Sequence, residues 1–571
     1  MADVAQPVRP ADGALALAVG AVCGLLVQAA HLTGHVFVNL DFGVHYNYAR
    51  EYAAAMAAGD LWPRWAMRAQ AGLGEPGLLY YAPLYYWLTG VTSQITGNVW
   101  AAMQIVEIAA SALLGYFSFR LTALYVPGRR ALLAPVLACL SPMIVMLHLE
   151  FNGYPWACAI TPLAGYLLAI LRPRARVVLF NAPAMVALAL TIMTHTVTGL
   201  MAVIVTAPLV LCGLTGIRAA PLEWRRAAAP IVTIIGGLAL SAVYLLPAFA
   251  LQPLIDSAVW RIHYTPYDAF SLPTVTAWRF GIRWAAFQWP ISFAMIAAAL
   301  LGAWLMWRER SERLLPLRLP ISLVVGVAVF LSIELSYPLW LIDSPLRDVQ
   351  FPHRFLTILT PLLPVLVLAP SSRHRWARRA LWLLALAGVA MAVLTLGKAA
   401  VAEGTRPDLS ETAFPVYNGL DEYRTRWTPH EGMSRALAGK GSDCVNGRLQ
   451  CGTPTRTSRG IGWRIVVPRG GRYTLPIYYF PAWDLTVNGQ PVAITPEPDT
   501  GLVRADLPAT AAALAFSWQR LPQERIGLWV SAAMLLGLML AAARRRTRPL
   551  PTDEAADGRF SSFGLQQAPA K

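Results

Sequence analysis

Six arginine clusters divide an otherwise apolar chain into segments long enough to cross a bilayer, and this pattern constrains the fold more than any other feature. They are Arg120/Arg129/Arg130, Arg172/Arg174/Arg176, Arg218/Arg225/Arg226, Arg308/Arg310/Arg313/Arg318, Arg373/Arg375/Arg378/Arg379 and Arg544/Arg545/Arg546/Arg548. With 56% hydrophobic and 14% charged residues in 571, and a mean hydropathy of +0.48, no soluble core absorbs so much apolar surface. The chain reads as a polytopic membrane protein. Its formal charge of +16 does not point to nucleic acid, because the arginines sit in short clusters beside apolar runs and report topology.

If every cluster is cytoplasmic, the crossings are fixed. Spans are expected near 13–31, 99–119, 131–149, 155–171, 178–195, 198–214, 229–249, 287–307, 319–337, 355–370, 379–397 and 526–543. This gives about twelve transmembrane helices with both termini inside. The first run, Gly13 to His31, is too long for a secretory signal core and lacks a convincing cleavage site, so it reads as an uncleaved helix. The run from Leu78 to Thr96 is apolar enough to cross, yet crossing there would invert every later cluster. Parity therefore makes it juxtamembrane or re-entrant, in keeping with its Pro83, Tyr and Trp content. Residues 32–98 become one outer loop.

The outer side collects the polar residues. Loop one carries Asp41, His45, Glu51, Asp60, Arg64 and Glu75; the second outer turn holds His148 and Glu150; the third begins at His195. Arg279 and Arg283 lie in the loop 250–286, and Arg347, His353 and Arg354 in the stretch 343–354. Asp41 and His45 are four residues apart, hence on one helical face at the bilayer surface, where ionisable groups are commonly retained for function. A carboxylate such as Asp41 or Glu150 suits a general base toward an acceptor hydroxyl, or a ligand for a divalent cation such as Mg or Mn. His45 would assist or orient. Arg64, Arg279, Arg283, Arg347 or Arg354 would clamp a lipid phosphate through charge-assisted hydrogen bonds. Tyr80, Tyr81 and Tyr85, with His148, His195 and His353, would seat lipid and sugar.

Simpler readings stand beside these. Asp41 and His45 also fit an exposed i,i+4 pair, His195 a hydrogen bond to a neighbouring helix, and Glu107, in mid-span, a structural partner. No P-loop, dinucleotide fingerprint or zinc-type cysteine spacing is present, so no nucleotide-driven mechanism is indicated.

The order D-x-x-x-H from Asp41, Leu61-Trp-Pro-Arg-Trp65, Gly72-x-Gly74-x-Pro76 and Tyr80-Tyr-x-Pro-Leu-Tyr-Tyr86 resembles the first outer loop of GT-C type glycosyltransferases, in particular the bacterial YfhO-like multipass membrane proteins. Ser141-Pro142, Glu150 to Pro155, Thr194 to Thr198 and Gln350-Phe-Pro-His-Arg354 resemble later pieces of that group. The resemblance implies a GT-C-like fold and transfer of a sugar from a polyprenyl-phosphate carrier to an envelope glycan, lipid or protein acceptor, at the periplasmic face of the bacterial inner membrane. It gives Asp41 the role of base or metal ligand. Better-studied branches often carry two adjacent acids, whereas Phe42 and Gly43 follow Asp41 here. A transporter or flippase of a lipid-linked precursor is the rival reading; it would use the same arginines without a base.

Beyond Gly397 the composition turns polar until Ile526, and from Gly462 it becomes strand-like, with an Asn488-Gly489 hairpin signal. Residues 400–525 are expected to form a small periplasmic β-sandwich domain, following a transmembrane domain over 1–399 and preceding a last span and a disordered cytoplasmic tail over 544–571. Cys23, Cys139, Cys158 and Cys212 fall in membrane segments. Cys444 and Cys451, the only pair in the polar part, are expected to form a disulfide, which requires an oxidising compartment such as the periplasm.

Overall fold

A computed structural model describes residues 9–32, 41–172, 178–214, 224–256, 270–272, 285–309, 314–370, 374–401, 417, 419–428 and 441–546. Arg279, Arg283, much of 400–440 and the tail from 547 lie outside the described residues.

The longer helices are α1 (Pro10–Val27), α2 (Phe42–Ala57), α3 (Leu84–Thr96), α4 (Val99–Ala123), α5 (Tyr154–Leu171), α6 (Ala182–Thr194), α7 (Thr196–Leu214), α8 (Trp224–Leu240), α9 (Ala242–Ala250), α10 (Ala285–Arg308), α11 (Leu315–Ser332), α12 (Arg375–Val401) and α13 (Pro522–Arg546). Among the described residues six helical segments are long and apolar enough to cross a membrane, or up to eight if each bent pair counts as one span. The bent pairs are α8 with α9, at 80°, and α11 with the short helical stretch that follows it, at 83°. Shorter apolar helices at Ala182–Thr194, Thr196–Val210 and Ser292–Arg308 accompany them.

Small residues let the first spans approach closely, as is common between membrane helices. A Cβ on Gly20 would lie 2.7 Å from the Ser111 carbonyl oxygen, and one on Gly115 2.9 Å from the Gly20 Cα. The Ser111 hydroxyl donates to the Gly20 carbonyl at 3.0 Å.

Besides the bent pairs, two further expected spans are interrupted. Gly128–Phe151 is broken near Pro135 and Pro142 and ends in a π-type turn, Leu147–Phe151, capped by Asn152 in the left-handed region at φ +49°. The segment 355–370 is a 3-10 helix, Pro352–Leu359, followed by a six-residue helix, Leu363–Leu368. Pro361 and Pro364 supply no amide hydrogens and their rings crowd the preceding turn, which disfavours one continuous α-helix there. Phe355, Leu359 and Val365 are fully buried, which places the segment inside the bundle.

Residues 78–96 form two helices, Gly77–Tyr80 and α3, the latter packed on α2 and α4. Loop one is a folded platform on which the C-terminal unit sits. That unit has two antiparallel sheets. One has the order β1-β3-β9-β5-β6, with β2 also paired to β3; the other has the order β4-β8-β7. Their ranges are β1 Gln450–Cys451, β2 Thr455–Thr457, β3 Gly460–Val466, β4 Gly471–Tyr478, β5 Trp483–Val487, β6 Gln490–Val492, β7 Ile494–Pro496, β8 Leu502–Leu507 and β9 Ala511–Trp518. Asn488 and Gly489, both at positive φ, make the β5–β6 turn, and Cys444 and Cys451 are joined.

One hydrophobic core runs through platform and sheets. Trp65 packs against Phe480, Trp483 and Trp518 at ring separations of 6.0, 5.5 and 5.7 Å. Polar contacts reinforce it: Ser458 donates to Asp60 at 2.6 Å, Arg459 pairs with Asp60 at 3.2 Å, and the Tyr478 amide donates to the Leu73 carbonyl at 3.0 Å.

Candidate functional site

Asp41 stands at the N-terminus of α2, but its side chain makes no capping hydrogen bond. Its carboxylate is therefore not spent on the helix. The Asp41 amide donates to the Phe151 carbonyl at 3.2 Å, bringing loop one to the end of the broken span. The carboxylate reaches solvent, yet surrounding protein pushes its pKa above the usual range, while Arg354 opposes that shift.

Arg354 is held from several sides. It donates to the Val349 carbonyl and to Gln350 Oε1, each at 3.0 Å, and its guanidinium lies 5.0 Å from the centre of the Trp156 ring and 4.7 Å from that of Phe351. Gln350 makes this possible at φ +65°, a sharp turn just ahead of Phe351. Trp156 is in turn fixed by a 3.0 Å bond to Thr357 and stacks on His195 at 5.8 Å. The His353 ring stacks on Phe151 at 5.6 Å. His195 is oriented by a 2.8 Å bond to Thr198 and lies within electrostatic reach of both Arg354 and His45.

His45 forms the opposite wall. It is 3% exposed, shares a 2.7 Å hydrogen bond with the Tyr86 hydroxyl and sits against the ring of Tyr81. Burial pushes its pKa down to about 3, so the ring is neutral. Tyr81 feels both Asp41 and Arg354. Asp41, His45, Tyr81, His195, His353 and Arg354 thus share one neighbourhood, although they come from four separate stretches of the chain.

Other expected site residues are engaged elsewhere. Arg64 is buried and pairs with Glu524 of α13 at 2.7 Å, so it anchors the platform to the last span and does not face this recess. Tyr80 donates to the Leu251 carbonyl at 2.7 Å and stacks on Tyr423. His148 pairs with Glu107 at 2.8 Å in the helical layer, with its other nitrogen bonded to the Ile144 carbonyl. Arg347 is partly exposed, 4.0 Å from Asp343. Tyr85 packs on Tyr86 and lines a groove between helices. Glu150 lies on the π-type turn beside Phe151, and its buried Oε2 has no hydrogen-bond partner among the described residues.

Among the described residues no group of three or more His, Cys, Asp or Glu side chains is arranged to hold a metal ion. Arg354 already supplies positive charge beside Asp41. The described side chains around Asp41 do not compose a divalent-cation cage. Of the ring residues here, Trp156 is the one the sequence does not single out, and Phe351 stands in the Gln350–Arg354 motif without a role of its own. Tyr86 was signalled by its place in the Tyr80 to Tyr86 motif, Trp156 by its position directly after Pro155.

This assembly defines a polytopic membrane protein in which ionisable and aromatic side chains gather where loop one meets the end of the broken span, with an antiparallel β unit packed on loop one. No known family profile and no curated protein matches the chain. In fold it is similar to arabinofuranosyltransferase AftD from mycobacteria (18% identity, TM-score 0.41, covering 68% of this chain and 27% of that one). It is also similar to ArnT from Cupriavidus metallidurans bound to undecaprenyl phosphate (16%, 0.37, 72% and 75%) and to arabinosyltransferase EmbB from Mycobacterium smegmatis (11%, 0.36, 91% and 64%). The chain spans about a quarter of the length of AftD.

Proposed function

We propose that this protein is a GT-C-type glycosyltransferase of the bacterial inner membrane. It transfers a sugar from a polyprenyl-phosphate donor to a cell-envelope acceptor at the periplasmic face. The observation that carries this reading is that Asp41 lies within electrostatic reach of Arg354 among aromatic and imidazole rings. A carboxylate with an elevated pKa is suited to take a proton at neutral pH, and an arginine fork to receive phosphate charge.

In the proposed step the acceptor hydroxyl oxygen forms a bond to the anomeric carbon as the carbon–oxygen bond to the donor phosphate breaks. The bonding electrons leave with the phosphate, and the acceptor proton passes to Asp41. Arg354, oriented by Gln350 and Trp156, stabilises the departing phosphate, whose negative charge grows in the transition state. Neutral His45 and Tyr81 offer hydrogen bonds to sugar hydroxyls.

Purified protein in nanodiscs, supplied with polyprenyl-phosphate sugars and envelope glycolipid acceptors, should yield a product heavier by one sugar. Asp41→Asn should slow transfer by roughly 10²–10⁴ while donor binding persists. Transport of the lipid-linked sugar that survives Asp41→Asn, without any mass gain in an acceptor, would replace this reading with the transporter.

A further inference from the structure

We propose that the apolar groove between α3, α4, α5 and α6 is a binding site for an anionic glycerophospholipid, whose phosphate is held by Arg120 and Arg172. The groove has a volume of about 1140 Å3 and runs from Leu84, Tyr85 and Thr194 at the recess end of the bundle to Arg120 and Arg172 at the other. Its walls are almost wholly apolar, and several lining residues, including Leu88, Ile105, Leu113 and Val186, are 40% or more exposed, so the groove opens sideways toward lipid. It is separate from the Asp41 recess, and the proposed transfer reaction does not use its arginines.

Charge decides the occupant. Among the described residues no acidic side chain lines the groove, and the two charged ones that do are both arginines at one end. Arg120 lies in the last turn of α4, where a 2.6 Å bond to the Tyr116 hydroxyl and a cation–π contact at 5.6 Å fix its position. Arg172 caps the C-terminus of α5 and is exposed. A basic pocket between membrane helices on an arginine-rich side is suited to an anionic headgroup.

Length agrees. From Ile105 to Arg120 the α4 wall rises about 22 Å at 1.5 Å per residue, whereas one leaflet of hydrocarbon is about 15 Å deep. Acyl chains anchored at the arginines therefore fit within the groove and stop short of Tyr85.

The test uses full-length protein, delipidated in detergent and re-equilibrated with phosphatidylglycerol or phosphatidylcholine, with retained lipid measured by mass spectrometry of the intact protein. Wild type should retain phosphatidylglycerol over phosphatidylcholine by about fivefold or more, the size expected for one arginine near an anionic group. The double variant Arg120→Gln/Arg172→Gln should lose that preference with an unchanged melting temperature. Ala187→Trp, which fills the groove, should lower retention of both lipids. Equal retention of the two lipids by wild type, or a preference that survives the double variant, overturns the proposal. So does one-for-one displacement of phosphatidylglycerol by polyprenyl phosphate, since the groove would then belong to the carrier. Sugar transfer is not read in this experiment, so its outcome is independent of the transferase assignment.

Discussion

The backbone N–H of Asp41 donates to the carbonyl of Phe151 across 3.2 Å, tying the start of α2 to the end of the broken span one residue past Glu150. Two parts of the chain more than a hundred residues apart thereby share one rigid corner. The aromatic and imidazole side chains that hold Arg354 near Asp41 gather around Phe151. The candidate base and the candidate phosphate clamp are thus set by the same turn, and substitutions at either should act on the chemical step.

Asp41→Asn should lower kcat by roughly 10²–10⁴, the range typical for loss of a general base. The pH dependence follows from charge. Arg354 favours the ionised form of Asp41, so Arg354→Gln should raise the Asp41 pKa further, and the acidic limb of the pH–rate profile should move to higher pH. Arg354→Lys keeps the charge but loses the planar fork. It should leave that limb nearly in place while still reducing kcat. A limb that does not move in Arg354→Gln would mean that Asp41 is not the titrating base.

The buried pair Arg64–Glu524 tests the anchoring role of the first loop. Removing one partner leaves an uncompensated buried charge, which costs roughly 3–5 kcal/mol. Arg64→Met and Glu524→Leu should each lower the melting temperature in detergent, and the double variant should recover most of that loss. If Arg64→Met instead weakens substrate binding at unchanged stability, the anchoring role is refuted.

Much of the bundle was legible because the membrane leaves few options: backbone groups must be satisfied within a helix, and arginines mark one side. Leu78 to Thr96 cannot cross without inverting every later arginine cluster, and that stretch folds as two helices of four and thirteen residues. The segment 355–370 misled, because its apolar composition resembles a lipid-facing helix while its prolines break the helix inside the core. At the site, Asp41, His45 and Arg354 were legible as chemistry-bearing types on one face. That Arg64 is consumed by Glu524, 460 residues away, was not, since no local pattern records so distant a partner. The roles of Trp156 and Phe351 were not legible for a related reason: aromatic residues are abundant near membrane interfaces, and only the fold shows which two flank an arginine.

Close approach of α1 and α4 gives a steric prediction. Gly20→Ala would place its Cβ 2.7 Å from the Ser111 carbonyl oxygen, an atom of the backbone that cannot swing aside. The helices must separate, and the melting temperature should fall by several degrees. Gly326→Ala, whose Cβ meets nothing within 4 Å, is the control and should be nearly neutral. A small effect at Gly20 would show that this helix pair yields readily.

Glu75 gives a prediction about pH and stability. It is 1% exposed, accepts hydrogen bonds from Tyr48 at 2.7 Å, Gln70 at 2.8 Å and the Leu420 amide at 3.3 Å, and joins loop one to the segment leading into the β unit. Burial, with nearby Glu422 adding to it, pushes its pKa from 4.5 up to about 8, although its hydrogen bonds pull the other way. The folded state therefore holds a proton that the unfolded chain releases near 4.5. The contribution of this group is fully present below about pH 4.5 and is lost as pH rises toward about 8, so it makes stability fall across that window. Glu75→Gln, which cannot ionise, should flatten this slope. Gln70 Oε1 is a buried acceptor without a hydrogen-bond partner among the described residues, so exchanging the two amide atoms of Gln70 would let it accept from either the protonated acid or the new amide. Chemical denaturation of both proteins between pH 5 and 8 decides the matter: the gap between them should widen in favour of the variant with rising pH, and parallel curves would mean that Glu75 is already ionised in the folded protein.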